Sequence, residues 1–466
     1  MRGERVVAVV VVVLVSYGVG LRDVHMWRRE SVDETPNLTT IDNGIVSVGV
    51  DSNRGGSITY FSVSHRNENV INVYDMGREV QMSFYGGPDD YEPSANSDRC
   101  KSKWRPQGNW PWNPIGAGDV SGNSGEVLDL QKDDETHEIY VKSRPLQWSC
   151  QMVPCECTFE KLISLDGPAV NVHAKLVNNR SDHTSYPAHG QELPAVYTTG
   201  SFYRIFTYNG TKPFTHDELT EFNTTGKIWT PGQFLATESW AALVNDSLWG
   251  LGVFQPYTNL ITGGFAGPHG NYGPHSGSTG YLAPNQIEIL DYNIIYQFNF
   301  SIILGSLQEI RQYVYDKSSR RQSCLDYAFT IDREHFRYEN AADAGQPKGS
   351  WHIFLEQNDP QIIGPACVWM AEDHPTLYIN ASYSTNLGPN NTAQVFFNAD
   401  GRGAQFDEQH SVSFPIQTDN HFHQYAVDLS SSLYYKGAMY GIRFDPVPSG
   451  KAGAYVEIAK ISVRLR

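Results

Sequence analysis

Apolar and polar residues alternate along most of this chain in the way that is typical of β-strands. β-Branched and aromatic residues recur at every second position in short segments, and Gly, Pro, Asn and Asp separate the segments at turn positions. The segments expected to form strands are 45–50, 57–62, 137–142, 158–164, 169–177, 240–245, 248–254, 286–292 and 299–305. The pattern therefore predicts an all-β protein.

A single helix is expected, over residues 306–317. Ser306 can cap it, Glu309 occupies the capping-box position, and apolar residues at helical spacing share one face. The polar segment 318–323 follows and is a natural domain boundary.

The length of 466 residues predicts more than one domain. We expect two long loops, over 89–119 and 263–280, and two β-sandwiches. The predicted organisation is a signal peptide 1–20, an N-terminal extension 21–39, a large β-sandwich domain 40–317, a linker 318–324 and a second β-sandwich 325–466.

The N-terminus predicts secretion. A short, net positive segment (1–5) precedes an apolar run (6–15), and the small residues Gly18 and Gly20 follow, as a signal peptidase requires. The run is about half of the roughly 20 residues that a membrane-spanning helix needs. A retained anchor is the alternative. The expected location is extracellular, with no membrane partner.

Glycosylation motifs agree with a secretory route. Eight Asn-x-Ser/Thr sequons occur, none with Pro at the middle position. The candidate glycosylation sites are Asn37, Asn179, Asn209, Asn223, Asn245, Asn299, Asn380 and Asn390. We expect all eight to lie at or near the surface, because a branched glycan cannot be packed inside a core.

The six cysteines favour disulfides over a metal site, because no His or Cys cluster with zinc spacing accompanies them. Bridges should stay within domains, with Cys324 bonded to Cys367. Adjacency disfavours a Cys155–Cys157 bridge, so Cys100 should pair with Cys150, Cys155 or Cys157.

Charge and composition narrow the partners. The formal net charge of −16 argues against nucleic acid and anionic membranes, which need clustered Lys and Arg. Aromatic residues make up 12% of the chain, with 26 Tyr and 10 Trp, and flat rings suit the C–H faces of sugars. Large all-β proteins are also rich in aromatics, so composition alone does not decide.

The last sixty residues carry a set of landmarks in fixed order. They are His421-Phe-His-Gln-Tyr-Ala-Val-Asp-Leu429, Tyr435-Lys-Gly437, Gly441-Ile-Arg-Phe-Asp-Pro446 and Ala454-Tyr-Val-Glu-Ile-Ala-Lys-Ile-Ser-Val463. This pattern resembles the end of the β-sandwich modules that secreted carbohydrate-active proteins carry beside their main domain. The resemblance implies a jelly-roll-like binding module.

Ligands of this module follow from the same resemblance. Sugar would bind to exposed rings among Trp351, Trp369, Tyr434 and Tyr435. Such modules often hold Ca²⁺ through carboxylates on terminal strands, for which Glu339 and Glu457 are candidates. No other cofactor is expected. Alternatively, the module packs against the first domain or another copy and binds nothing.

The first domain carries a second resemblance. Its motifs are Ile41-Asp-Asn-Gly-Ile45, Gly55-Gly-Ser-Ile58, Asn69-Val-Ile-Asn72 and Asp75-Met-Gly-Arg78, followed by Gln81 and Tyr85. They resemble the opening of galactose-mutarotase-like supersandwiches, a superfamily of epimerases and of domains from glycoside hydrolases and polysaccharide lyases. The resemblance implies that Arg78 lies over a sugar-binding face; pairing with Asp75 or Glu79 is the alternative.

Candidate catalytic residues lie in two short motifs. His189-Gly-Gln-Glu192 places an imidazole and a carboxylate at the start of a strand, and Glu238-Ser-Trp240 places a carboxylate beside an indole. Apolar cover would raise the pKa of such an acid into a working range. A solvated turn residue is the alternative for Glu238.

Candidate substrate-binding residues complete the set. Besides Arg78, they are Tyr85, Trp104, Trp110, Trp112 and Trp240. The three loop tryptophans could form a sugar platform or plug one end of the sandwich.

These observations predict a secreted, glycosylated protein that recognises carbohydrate. One alternative is a glycoside hydrolase or polysaccharide lyase that uses the carboxylates of the first domain. The other is a structural glycoprotein that assembles with copies of itself.

Overall fold

The computed structural model describes residues 35–87, 100, 111–225, 229–270, 272–320, 324–389, 391–399 and 406–464. The predicted signal peptide, Trp104, Trp110, Asn390 and part of the predicted linker lie outside the described residues. Thr35–Arg466 forms one compact unit. No helix in the described part of the chain combines the length and apolar character needed to cross a membrane.

The first two sheets are built from strands that precede the helix. In chain order these are β1 Leu38–Asp42, β2 Val46–Asp51, β3 Ser57–Val63, β4 Val80–Ser83, β5 Pro114–Ile115, β6 Glu126–Asp133, β7 Glu138–Arg144, β8 Leu146–Gln147, β9 Cys157–Asp166, β10 Ala169–Asn178, β11 His189–Thr199, β12 Arg204–Thr207, β13 Thr220–Phe222, β14 Thr230–Leu235, β15 Trp240–Val244, β16 Trp249–Phe254, β17 Leu260–Ala266, β18 Thr279–Glu288 and β19 Ile295–Ser306.

These strands form a ten-stranded and a nine-stranded sheet. The ten-stranded sheet has the order β1-β2-β3-β4-β11-β18-β17-β14, with β5 paired to β4 and β8 paired to β5. The nine-stranded sheet has the order β13-β12-β15-β16-β19-β10-β9-β7-β6. Every pairing is antiparallel. Inward side chains of both sheets, such as Val48 and Leu282 from one and Phe159 and Ile302 from the other, share one hydrophobic core. Each sheet therefore keeps one face outside this core.

Helix α1, Leu307–Arg320, covers part of the outer face of the nine-stranded sheet. The predicted capping box is present, because the Ser306 backbone N–H and hydroxyl donate to Glu309 Oε2 (2.8 and 2.7 Å) and the Glu309 N–H donates to Ser306 Oγ (3.3 Å). Its apolar face packs on a separate cluster that includes Trp240 and Ile303.

The second sandwich follows the helix. Its strands are β20 Asp326–Ala328, β21 Arg337–Glu339, β22 Ala342–Asp343, β23 Trp351–Phe354, β24 Gln361–Ile363, β25 Trp369–Met370, β26 Thr376–Tyr383, β27 Thr392–Phe397, β28 Ser411–Pro415, β29 Phe422–Asp428, β30 Ala438–Met439, β31 Ile442–Asp445 and β32 Tyr455–Ser462. A six-stranded and a five-stranded sheet enclose its own core. The predicted all-β class, with a supersandwich and a second β-sandwich, is confirmed. The boundary at 318–324 stays a prediction.

Two expected elements are wrong in their extent. The strand expected over 286–292 runs instead from Thr279 to Glu288, and the loop expected over 263–280 is correspondingly shorter. Gly263 and Gly264 of that segment belong to β17, where they permit close contact. A Cβ atom on Gly264 would lie 2.4 Å from Trp229 Cα, so this strand position has room only for hydrogen.

Three disulfides are present: Cys100–Cys150, Cys155–Cys157 and Cys324–Cys367. The bridge predicted in the second sandwich is formed. The expectation that adjacency prevents a Cys155–Cys157 bridge is wrong, because the chain bends between these residues and holds their Cα atoms 5.0 Å apart, a normal separation for a disulfide.

Candidate functional site

The outer face of the ten-stranded sheet carries a cluster of polar and aromatic side chains. On β18, Leu282 belongs to the core, so alternation turns Tyr281 and Ala283 to the other side, where they form a separate apolar cluster with Ala195. Tyr197 and Trp229 pack against this cluster. We call this surface the outer face.

A β-bulge in β11 turns Glu192 to the outer face. Glu192 lies opposite Ser83 of β4 and Ala195 lies opposite Gln81, so three steps along β11 match two along β4. The extra residue reverses the alternation, and Glu192 therefore shares a face with Tyr197, although five positions separate them. Bulges commonly re-aim a side chain in this way beside functional sites.

Tyrosine hydroxyls surround the Glu192 carboxyl group. The Tyr85 hydroxyl donates to Glu192 Oε2 at 3.1 Å, and the hydroxyls of Tyr281 and Ser83 also bond to this carboxyl. Burial raises the pKa of Glu192, and these hydrogen bonds only partly offset the effect. Burial and the nearby Glu192 raise the pKa of both Tyr85 and Tyr281 well above the ordinary value, which keeps these phenols protonated as donors.

Two hydrogen bonds to the Gln191 side chain hold the Tyr85 backbone in place. The amide of Gln191, which is fully buried, accepts from the Tyr85 N–H at 2.7 Å and donates to the Tyr85 carbonyl at 2.8 Å. This pair of bonds holds the tyrosine in place beside Glu192.

Three rings form an aromatic wall next to the carboxyl group. The Tyr197 and Tyr281 ring centroids lie 4.7 Å apart, and Trp229 meets them edge-on at 6.2 and 5.5 Å. Tyr197 and Trp229 are half-buried, so parts of both rings remain accessible. A carboxyl group with phenolic donors beside flat apolar rings can hydrogen-bond hydroxyl groups while stacking on an apolar ring face.

Arg78 lies at the edge of this region. Its guanidinium group donates to the Gly277 carbonyl at 3.0 Å, approaches Asp75 at 3.3 Å and lies 4.7 Å from the centre of the Tyr74 ring. The alternative pairing with Asp75 is therefore present. Arg78 contacts the 267–278 loop, and these bonds orient it without covering it completely.

Glu238 and Trp240 are not part of the outer face, so the two candidate catalytic glutamates do not lie together. Trp240 begins β15 of the nine-stranded sheet and Glu238 lies in the turn before it; both are completely buried, and Trp240 packs in the cluster beneath α1. The Glu238 carboxylate accepts from the Trp240 indole N–H (2.9 Å), the Tyr315 hydroxyl (2.6 Å) and the Phe214 backbone N–H (2.8 Å). Arg311 lies 3.6 Å away. Glu238 thus joins the helix to the sheet.

His189 and Trp112 also depart from the predicted site. Alternation before the bulge places His189 and Gln191 on the side opposite to Glu192. Trp112 is completely buried in the core, with the Arg180 guanidinium group 5.6 Å from its ring. It plugs the sandwich and cannot stack on a ligand, whereas Trp104 and Trp110 lie outside the described residues.

Tyr197, Tyr281 and Trp229 were not among the predicted site residues. Tyr197 and Tyr281 lie on strands, but alternation alone does not say which face of a strand packs on the second sheet. The glycines of β17, Gly263 and Gly264, were the available signal, because a glycine within a strand indicates close approach of another group.

In the second sandwich, most predicted sugar-binding rings are unavailable. Trp351, Trp369 and Tyr435 are buried in the core, and only Tyr434, 46% exposed, could meet a ligand. The proposed Ca²⁺ ligand Glu457 is in the six-stranded sheet and hydrogen-bonds His352 at 3.2 Å.

Glu339, the other proposed Ca²⁺ ligand, is in the five-stranded sheet. The two carboxylates therefore do not lie on one strand pair. No group of three or more His, Cys, Asp or Glu side chains arranged to hold a metal ion occurs among the described residues.

Seven of the eight sequon asparagines are described. Five are exposed and two are half-buried, Asn245 and Asn380. Their glycosylation stays a prediction.

Comparisons with known proteins give fold resemblance only. No family model matches the chain, and no curated protein matches it. Among solved structures, it is similar to a galactose mutarotase related enzyme from Lactobacillus acidophilus, at 11% identity and a TM-score of 0.37 over 58% of this chain and 97% of that chain. It is also similar to an alpha-galactosidase from Lactobacillus brevis, at 11% identity and a TM-score of 0.33 over 59% of this chain and 40% of that chain.

This weak similarity concerns the fold alone. At such identities it says nothing about what this chain binds. Any functional proposal has to rest on the side chains of the outer face.

Proposed function

We propose that this protein is a secreted, N-glycosylated carbohydrate-recognition protein that binds a glycan on the outer face of its ten-stranded sheet. The observation that carries the proposal is the placement of Glu192 and its tyrosine donors beside the Tyr197, Tyr281 and Trp229 rings. Sugars offer hydroxyl groups at the edge of a pyranose and C–H groups on its face, and this arrangement can satisfy both.

The rings are placed for stacking and the polar groups for orientation. Glu192 and Tyr85 would bond ring hydroxyls, while Trp229 and Tyr197 would contact the apolar face of the sugar. Arg78, held at the edge by Asp75, would meet a hydroxyl or carboxylate of a neighbouring sugar unit. The extent of the rings favours a glycan over a small isolated polar ligand.

Recognition ranks ahead of catalysis because the predicted catalytic pair does not form. Two-carboxylate hydrolysis needs its acids within about 5–10 Å of each other across one bond. Glu238 lies under α1 on the other sheet, with its oxygens engaged by three donors and Arg311 close by. The carboxylates proposed for a hydrolase or lyase therefore cannot act together.

Binding can be tested with the secreted full-length protein on a panel of plant, fungal, algal and animal polysaccharides, followed by calorimetry on the tightest ligand. Glu192→Gln and Trp229→Ala should each weaken binding by about tenfold or more, equivalent to ~1.4 kcal/mol. Glu160→Gln is a matched control, because Glu160 lies on the outward side of the nine-stranded sheet, paired with Lys175 at 2.8 Å.

Unchanged affinity in both outer-face variants would rule the site out. The same panel, incubated at length and assayed for new reducing ends and for unsaturated products, tests the enzyme alternative. Product formation that disappears in Glu192→Gln would replace recognition by catalysis at this face.

A further inference from the structure

A shallow trough crosses the outer surface of the nine-stranded sheet, on the side of the molecule away from Glu192. It has a volume of about 320 Å³, within the usual range for small-molecule sites. Three neighbouring strands, β9, β10 and β19, form its floor. Its margins are formed by Phe254 at the end of β16, by Pro256 and by Lys317 of α1.

Strand register explains the floor. Asn299, His173 and Leu162 lie side by side across the three strands, and Ser301, Asn171 and Ser164 form the next row. The rows are roughly 7 Å apart and each is roughly 10 Å wide, from ordinary strand spacings. The first row thus begins at Asn299 and ends at Leu162, whose side chain is exposed.

That asparagine belongs to a sequon, Asn299-Phe300-Ser301. His173 Nδ1 lies 2.9 Å from Asn299 Oδ1, and His173 Nε2 lies 3.1 Å from Gln297 Oε1. The imidazole of His173 therefore contacts the amide oxygen of Asn299. A glycan would be attached to the other amide atom, the nitrogen. A sugar on this nitrogen would start inside the trough.

The opposite end of the row is apolar. Leu162 is 40% exposed although it lies in the middle of β9, flanked by strands on both sides. The second row is polar and hydrogen-bonded: Ser301 Oγ donates to Asn171 Oδ1 at 2.6 Å, and the Tyr313 hydroxyl donates to the same oxygen at 3.0 Å. An apolar patch beside fixed polar groups suits a sugar ring lying flat.

We propose that the N-glycan of Asn299 folds back into this trough, with its first sugars lying across His173 and Leu162. The occupant is thus part of the protein itself. The glycan covers an apolar surface that the sheet otherwise leaves open to water, and it is held against the protein instead of projecting into solvent. This inference rests on the predicted secretion and does not depend on the sugar site at the outer face.

The test uses the full chain secreted from a glycosylating eukaryotic host, with site occupancy measured by glycopeptide mass spectrometry. The native protein is then treated with peptide N-glycosidase, and release is followed at each site. Asn209 is the reference sequon, because it is exposed and its Oδ1 is also held, by the Thr220 hydroxyl at 2.7 Å.

Release at Asn299 should be about tenfold slower than at Asn209 in the native protein, and equally fast after denaturation. Leu162→Ser should remove most of this difference. Ile287→Ser is the matched control, because Ile287 is 37% exposed on the other sheet, and it should leave the difference unchanged.

Three results would overturn the proposal. They are an unoccupied Asn299, native release as fast as at Asn209, and equal effects of Leu162→Ser and Ile287→Ser on the release rate. Each can be read even if binding at the outer face is absent.

Discussion

At the scale of single residues, environment separates two glutamates that look equivalent in the sequence. Glu238 accepts from three donors, lies close to Arg311 and is completely buried, so its carboxylate is fully used inside the protein. Glu192 is half-buried and bonded to hydroxyl groups, which are themselves able to exchange partners with a ligand. Only the second arrangement leaves a carboxyl group available for recognition.

Removing the Glu238 carboxylate should destabilise the protein without affecting its ligand site. Glu238→Ala leaves a buried guanidinium and buried donors without their acceptor, which typically costs about 3–5 kcal/mol. Urea unfolding measures this loss. Glu221→Ala, which removes a partly exposed partner of Arg204, should cost about 0–1 kcal/mol. Equal losses in the two variants would contradict the role assigned to Glu238.

Glu192 should make stability depend on pH with a defined sign. Burial raises its folded-state pKa above the unfolded value, so its contribution is present at low pH and is lost as the pH rises through the folded pKa. The amide side chain of the Glu192→Gln variant does not titrate, so the variant lacks this pH dependence. The difference in melting temperature, variant minus wild type, should therefore increase from pH 4 to pH 7. A constant or falling difference would show that the folded-state pKa of Glu192 is not raised.

The sequence predicted these residues unevenly. Glu192 and Tyr85 were identified and lie together, because the motifs that contain them end up on neighbouring strands. Glu238 and Trp240 were identified from an equally good local pattern, yet helix α1 covers them. A short sequence motif cannot show that a helix some 70 positions later in the chain will bury it.

At the scale of elements, the strands followed from alternation, whereas the β11 bulge did not. Most of the nine strands predicted from alternation begin and end close to the observed positions, for example Ala169–Asn178, whereas many of the other observed strands were not predicted individually. The bulge depends on the register of β11 against β4 and β18, which involves distant parts of the chain. The orientation of Glu192 therefore could not be predicted from the sequence, although Glu192 could be named as a candidate site residue.

The capping box of α1 gives a prediction at this scale. Ser306→Ala removes the hydroxyl that bonds Glu309, which should destabilise the protein by about 1 kcal/mol. Chemical denaturation measures the change. Ser318→Ala, in the last turn of the same helix, is the control and should be neutral or slightly stabilising because alanine favours helix. A neutral Ser306→Ala would show that the cap contributes nothing.

At the scale of the whole molecule, a buried ionic network joins the two sandwiches. Arg333, in the second sandwich, donates to Asp343 at 3.0 Å and reaches Asp291 of the first sandwich at the same distance. Nearby, Glu288 accepts from the Tyr296 hydroxyl at 2.9 Å and lies 3.4 Å from His335. These contacts link the two sandwiches through buried charged groups.

Arg333→Leu should loosen this junction. Removing one partner leaves two buried carboxylates without their cation, a loss of about 3–5 kcal/mol. Hydrogen exchange should rise in segments 289–294 and 343–347. Arg443→Leu is the control, because Arg443 pairs with Asp445 inside the second sandwich and should leave exchange at the junction unchanged. Unaltered exchange in Arg333→Leu would mean that other contacts hold the sandwiches together.

A crystal structure of the protein with the oligosaccharide that binds most tightly in the panel would show directly whether the outer face of the ten-stranded sheet holds sugar. A pyranose ring should lie against Tyr197, Tyr281 or Trp229, with a sugar hydroxyl within hydrogen-bonding distance of Glu192. A sugar bound only on the second sandwich, with the outer face of the ten-stranded sheet unoccupied, would contradict this prediction.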